Sequence, residues 1–218
     1  MNNFDPKKTR HVVLVENEPL MRDLLARAIE SAGFRVTTAA NAADAKRALI
    51  SVDPDAFVLD IELGPGPNGF DFAEVVMKKS PSTGIVFLTN LPDPRFGGKA
   101  QNVVKKNQAY LRKSEIYSGE ELVLALEAVL RDQVTKEYRH DLVSNDSISS
   151  LSARQIQTLQ LVSEGRTNTQ IAKVRGISVR AVESMLSRIF GILEIDPNSS
   201  NPRVEASSRF HQLRSQIE

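Results

Sequence analysis

Along the first half of the chain, short apolar runs alternate with segments whose apolar residues recur every three or four positions. His11–Val15 (HVVLV) is a compact β-branched run of the kind a strand buried on both faces shows. Leu20, Leu24, Leu25, Ala28 and Ile29 then fall at helical spacing, with Gly33 as a stop. Residues 34–39 (FRVTTA) read as a second strand, the Ala-rich stretch 42–50 as a second helix, and 56–61 (AFVLDI) as a third strand. After the loop GPGPNG come a helix over about 70–79 and a fourth strand at 85–89. A weak helix after LPDPRFGG precedes a short fifth strand at Ala109–Arg112. From Ser118 or Gly119, a long amphipathic helix carries Leu122, Leu126, Val129 and Leu130 on one stripe and frays near 139–141. Five strands alternating with five helices predict a doubly wound α/β domain around a parallel sheet.

The pattern then changes. Residues 142–150 (LVSNDSISS) are polar, Ser-rich and without period, as a linker is. From Leu151 only helical spacing remains. Ile156, Leu159, Leu161 and Val162 define a helix ending at Gly165, and Thr167 or Asn168 can cap a second one carrying Ile171 and Ala172 inward. Gly176-Ile177 makes a tight turn, and Ser178 caps a third helix. Two short helices joined by a Gly-containing turn form a helix-turn-helix. On the third helix Val182, Met185, Leu186, Ile189 and Leu193 share one face, while Arg180, Ser184, Ser187, Arg188 and Gly191 share the other. The expected organisation is an α/β domain over 9–140, a linker over 141–150, and a small all-α domain over 151–218.

Composition narrows the function. Hydrophobic residues make up 41% of the 218 and charged residues 25%, which suits a soluble protein with two cores. With no cysteine, disulfide frameworks and thiolate metal sites are excluded, and His11, His140 and His211 are too scattered for a zinc site. No apolar run reaches the ~18 residues of a membrane helix. The opening MNNFDPKKTR has no apolar stretch behind its basic residues, so no secretory signal is expected and the cytoplasm is the expected compartment. Residues 151–218 carry nine Lys and Arg against six Asp and Glu, whereas 1–150 carry nineteen against twenty-one. An acidic front and a basic back suit a cation site followed by a nucleic-acid site.

In an open doubly wound sheet, ligands bind beyond the carboxyl ends of the strands. Polar groups collect at those ends here: Glu16-Asn17-Glu18 after the first strand, Asp60 after the third, Thr89 after the fourth and Lys113 after the fifth. Carboxylates, a hydroxyl and an ammonium converging on one edge can supply a nucleophile, a divalent-cation site and donors for transferred oxygens. VLVENEP, VLDIELG, IVFLTN and AYLRKS, in that order, resemble the receiver domain of two-component response regulators, a flavodoxin-like fold. The resemblance spans about residues 10–135. It implies that a histidine kinase phosphorylates Asp60, that Mg²⁺ binds at Glu16 and Asp60, that Thr89 and Lys113 hold phosphoryl oxygens, and that Tyr110 is the switch aromatic. Asn17 departs from the family, which usually carries a metal-binding aspartate there. It keeps a carbonyl oxygen but loses a charge, so Mg²⁺ should bind more weakly unless Glu62 or Glu18 turns inward.

The order LSAR, EG, TNTQIA, ISVRAVES and LEI resembles the LuxR-type effector domain of the NarL/FixJ response regulators over about residues 148–210. This resemblance implies DNA contacts from Thr167, Asn168, Arg180, Glu183, Ser184, Ser187 and Arg188, and a last helix from about Val204 that supplies a dimer contact. Gln155, Met185 and Glu183 stand where the family often has glutamate, histidine and lysine. The expected protein is a transcription regulator and not an enzyme. Its expected partners are a cognate histidine kinase, double-stranded DNA and a second copy of itself on DNA. The alternative keeps both domains but places control with a partner or ligand, without phosphorylation. An aspartate-nucleophile phosphatase is the reading from another class, but Glu62 breaks its D-x-D pattern and the C-terminal domain is left unexplained.

Overall fold

The strands form where apolar runs can be covered on both sides. In the computed structural model, which describes residues 9–142, 150–196, 198 and 201–215, β1 (His11–Val15) lies between β2 (Arg35–Ala39) and β3 (Ala56–Leu59). β4 (Gly84–Thr89) and β5 (Ala109–Arg112) complete an all-parallel sheet of order β2-β1-β3-β4-β5. Val12, Leu14, Val58, Val86, Leu88 and Leu111 face one layer, packed against Ala26 and Ile29 of α1 (Pro19–Ser31) and Leu122 and Leu126 of α4 (Gly119–Leu130). The alternate positions face α2 (Ala42–Val52) and α3 (Gly69–Lys79), where Phe72 meets Phe57 edge-on at 5.3 Å and Phe70 meets Phe87 at 4.9 Å. Each fully buried Leu or Phe contributes roughly 1.5–3 kcal/mol, so a sheet apolar on both faces needs both helical layers.

Register fixes where the strands end. Val15 pairs with Leu59, Leu59 with Phe87, and Thr89 with Arg112, so Glu16, Asp60, Thr89 and Lys113 leave the sheet along one edge. Asn68 caps α3 in a capping box, its side chain accepting from the Asp71 N–H at 3.0 Å while Asp71 accepts from the Asn68 N–H at 3.1 Å. That cap turns the GPGPNG loop directly into the helix.

Three readings of the sequence are corrected in this domain. Leu20 and Leu24 lie on the outer side of α1, 67% and 55% exposed, because the helix turns Ala26 and Ile29 toward the sheet. No α-helix forms between β4 and β5. Only short 3-10 turns at Pro94–Gly97 and Gln101–Val103 result, the first ended by Gly98 in a left-handed conformation (φ 78°) and the second interrupted by a non-helical Asn102. α4 ends at Leu130 rather than near 139–141, because Asp132 adopts a left-handed conformation (φ 59°) and the chain continues in 3-10 turns.

Contacts divide the described residues into two units, one running to Asn90 and resuming at Val103–His140, the other made of Leu91–Asn102 and the residues from Asp141 on. The 91–102 segment, which the sequence places in the α/β domain, is therefore held in the helical unit. There Arg95 pairs with Asp93 and donates to the Leu151 carbonyl, and Phe96 stacks on Phe210 at 5.6 Å. Most of the expected linker, residues 143–149, lies outside the described residues. No helix among the described residues is long and apolar enough to cross a membrane.

The helical unit contains α5 (Ala153–Ser163), α6 (Asn168–Arg175), α7 (Val179–Ile192) and α8 (Pro202–Ser215). Ser152 with Gln155 and Thr167 with Gln170 form capping boxes, so Gln155 performs the capping that a glutamate would. Ser178 caps α7, accepting from the Ala181 N–H at 3.1 Å. Between α6 and α7, Gly176 sits at φ +63°, a left-handed turn that side chains resist. Ile156, Leu159, Val162, Ile171, Val182, Leu186, Ile189, Leu193, Phe210 and Leu213 form the core. Leu161 is only half-buried. The inward position near it belongs to Thr158, whose hydroxyl donates to the Arg154 carbonyl at 2.9 Å and accepts from Arg175.

Candidate functional site

Glu16 and Asp60 follow directly on buried strands, and both are almost fully shielded from solvent, at 1% and 5% exposure. An isolated carboxylate there would be expensive. Lys113, the first residue after β5, resolves the cost: its Nζ lies 2.6 Å from Glu16 Oε2 and 2.8 Å from Asp60 Oδ2. Two carboxylates from different strands meeting one ammonium must themselves converge. Backbone N–H groups hold the remaining oxygens, Glu18 N donating to Glu16 Oε1 and Glu62 N to Asp60 Oδ1, each at 3.0 Å. Burial pushes the Asp60 carboxyl above its ordinary range, with Lys113 pulling it back in part. For Lys113, burial acts to lower the value, but Asp60 and then Glu16 outweigh it and hold the ammonium above its usual range.

The other residues expected at the site occupy distinct places. Thr89 is the last residue of β4 and fully buried at the same strand edge. Tyr110 is inside the sheet layer, its ring 6.4 Å from Phe87, which in turn contacts Phe70. Asn17 and Glu18 are exposed beside Glu16, and Glu62 is half-buried beyond Asp60.

Two participants escaped the sequence reading. Gly69 begins α3 so close to β3 that an added Cβ would overlap the Asp60 carbonyl and come within 2.9 Å of the Ile61 Cα. Only glycine lets the helix start against the loop that carries Asp60. Arg22 on α1 donates to the Glu16 carbonyl at 2.6 Å and the Asn17 carbonyl at 3.3 Å, fixing the first acidic loop. A glycine after Pro-Asn is only a turn signal in sequence, and the Arg22 contact depends on the loop's fold.

The donor set here is all oxygen, as hard divalent cations prefer, and the Glu16 and Asp60 carboxylates converge as such an ion requires. Among the described residues, no three acidic or histidine side chains gather at one point, and Asn17 adds a carbonyl oxygen but no charge beside Glu16. A unit charge ~4 Å from the ion is worth roughly 4 kcal/mol at an effective dielectric near 20, before desolvation takes back a large part. Asn17→Asp is accordingly expected to tighten Mg²⁺ binding by about tenfold or more, measured by titrating the ion into both proteins. Equal dissociation constants would mean that Glu62 or Glu18 already supplies the charge.

The second candidate surface lies on α7. Val182, Leu186, Ile189 and Leu193 are buried and Met185 is half-buried, whereas Arg180, Glu183, Ser184, Ser187, Arg188 and Gly191 are exposed. The Arg188 Nε donates to the Ser184 carbonyl at 3.3 Å, laying the guanidinium along the exposed face. Thr167 is exposed and Asn168 half-buried at the start of α6. Beyond Val179 at its start, the outer face is thus small or charged, which allows close approach to a groove.

A family model for the response regulator receiver domain matches residues 12–115, and one for the luxR family of bacterial regulatory proteins matches residues 149–197. The chain is 26% identical over 171 residues to the oxygen regulatory protein NreC of Staphylococcus haemolyticus, covering 73% of this chain and 79% of that one. With the transcriptional regulatory protein TdiR of Thauera aromatica it shares 28% identity over 187 residues, 84% of this chain and 79% of the relative. Among solved structures, RcsB of Salmonella enterica serovar Typhimurium bound to the promoter rprA aligns with a TM-score of 0.60 at 17% identity, over 92% of this chain and 99% of RcsB. That likeness concerns the fold.

Proposed function

We propose that this chain, which belongs to the response regulators that join a receiver domain to a LuxR-type DNA-binding domain, is switched by transfer of a phosphoryl group to Asp60. The observation that carries the assignment is the Lys113 Nζ bridging Glu16 and Asp60 at the carboxyl edge of the sheet. In the transfer an Asp60 carboxylate oxygen attacks phosphorus, the P–N bond to a phosphohistidine of the partner kinase breaks, and the imidazole leaves with the electron pair. Lys113 then moves from the carboxylate to a phosphoryl oxygen, and the Thr89 hydroxyl donates to another. Glu16, Asn17, Asp60 and the Glu62 loop would hold Mg²⁺, which when bound offsets the negative charge on those oxygens. The new charge reorders Thr89 and the Tyr110 ring, and so biases the output domain toward dimeric binding of double-stranded DNA. The protein accepts its phosphoryl group from the kinase and turns over no substrate of its own.

Incubation with a small phosphodonor and Mg²⁺, followed by intact mass, should show one added phosphoryl group. If no donor labels the protein, control by a partner or ligand without phosphorylation becomes the better reading.

On the DNA side, Arg188→Ala is expected to weaken duplex binding without lowering the melting temperature, since the side chain lies off the buried stripe. Losing one cation from a phosphate flattens the log–log salt dependence by about one unit. Wild-type affinity with an unchanged slope would remove this face from the interface.

A further inference from the structure

The start of α6 is tied to the last helix by one side chain. Arg203, the second residue of α8, donates from Nη1 to Asn168 Oδ1 at 2.7 Å and from Nη2 to the Arg166 carbonyl. It thereby clasps the loop before α6 and the helix's first residue together, across more than thirty positions of sequence. The chemistry of the clasp dictates how Asn168 points. A guanidinium has only donors, so the atom facing it must be the amide oxygen, and the clasp leaves the Nδ2 group unused. Thr167 beside it is already committed to its capping box with Gln170. A phosphodiester oxygen is an acceptor, and with Asn168 reversed it would meet a carbonyl instead of an N–H.

We infer that Arg203 is a positioning residue for DNA: by holding Asn168 Oδ1 it presents the Asn168 amide N–H₂ to the phosphodiester backbone. This rests on the DNA-binding role proposed above and adds a residue outside the helix-turn-helix. Arg203 acts through a neutral amide and displaces no counterion itself. Its loss should therefore lower affinity while leaving the salt dependence alone, the reverse of the slope change expected for Arg188.

The test uses the full-length chain and a fluorescently labelled random-sequence duplex, with binding followed by anisotropy over a salt series, well below the melting transition. Arg203→Ala and Asn168→Ala are each expected to raise the dissociation constant about fivefold at unchanged salt slope, and the double variant to bind no worse than either alone. Arg203→Lys, which keeps a donor for Asn168, should stay within about twofold of wild type; it also carries the test if the alanine variant melts early. Wild-type binding by Arg203→Ala, losses that multiply in the double variant, or equal losses from Lys and Ala would each overturn the inference. A slope flattened by about one unit would instead make Arg203 a direct phosphate contact. If the wild type binds no duplex under any salt, the DNA-binding reading itself fails.

Discussion

Asp60→Asn is expected to take no phosphoryl group from a small phosphodonor, whereas the wild type takes one. The amide has no anionic oxygen to attack phosphorus, so the effect is all or none. The variant should nevertheless fold. Asparagine has the same shape, its Oδ1 can still accept from the Glu62 N–H, and Glu16 retains its 2.6 Å contact with the ammonium, so the Nδ2 that replaces Oδ2 costs only the Lys113–Asp60 bond. Burial already pushes the Asp60 carboxyl toward its neutral form, so a neutral side chain relieves part of that cost. Undiminished labelling of Asp60→Asn would falsify the acceptor assignment. Labelling lost together with the melting transition would point instead to a failure of folding.

The largest stability effect is expected from Leu186→Ala. Leu186 is buried among Val182, Ile189 and the neighbouring helices of the small domain. Removing its branched end leaves a cavity that helices fixed by capping boxes and the Gly176 turn cannot readily close. The expected loss is about 2–5 kcal/mol, a large fraction of the stability of so small a domain. Thermal unfolding followed by far-ultraviolet dichroism should show the helical unit melting earlier, with the sheet unit's transition in place. The two-unit chain calls for fitting separate transitions. A melting profile unchanged by Leu186→Ala would mean that α7 is not seated as described.

Much of this was legible in sequence because a parallel sheet leaves a strong trace. Strands buried on both faces must be continuous apolar runs, and their ends must then carry whatever chemistry the edge performs. Asp60 and Lys113 stand at two such ends, 2.8 Å apart. Periodicity was weaker evidence for which way a helix faces: Leu20, Leu24 and Ile29 fit one helical spacing, yet α1 turns Ile29 inward beside Ala26 and leaves both leucines outside. The missing helix after β4 shows how little a weak apolar pattern specifies, since the chain there forms only short 3-10 turns, with Asn102 outside helical geometry. Gly69 and Arg203 were not legible at all. One matters through the atom it lacks beside Asp60, and the other through a contact between segments far apart in the chain.

Whether a phosphoryl group on Asp60 would govern DNA binding is decided by one titration. A duplex enriched from a random pool is bound by wild type and Asp60→Asn, each with and without phosphodonor at fixed Mg²⁺ and salt. The donor should tighten wild-type binding by a factor between about 5 and 150, the usual span of coupling between two sites, and leave Asp60→Asn unmoved. The same donor-dependent shift in Asp60→Asn, or none in fully labelled wild type, would contradict a phosphorylation switch at this residue.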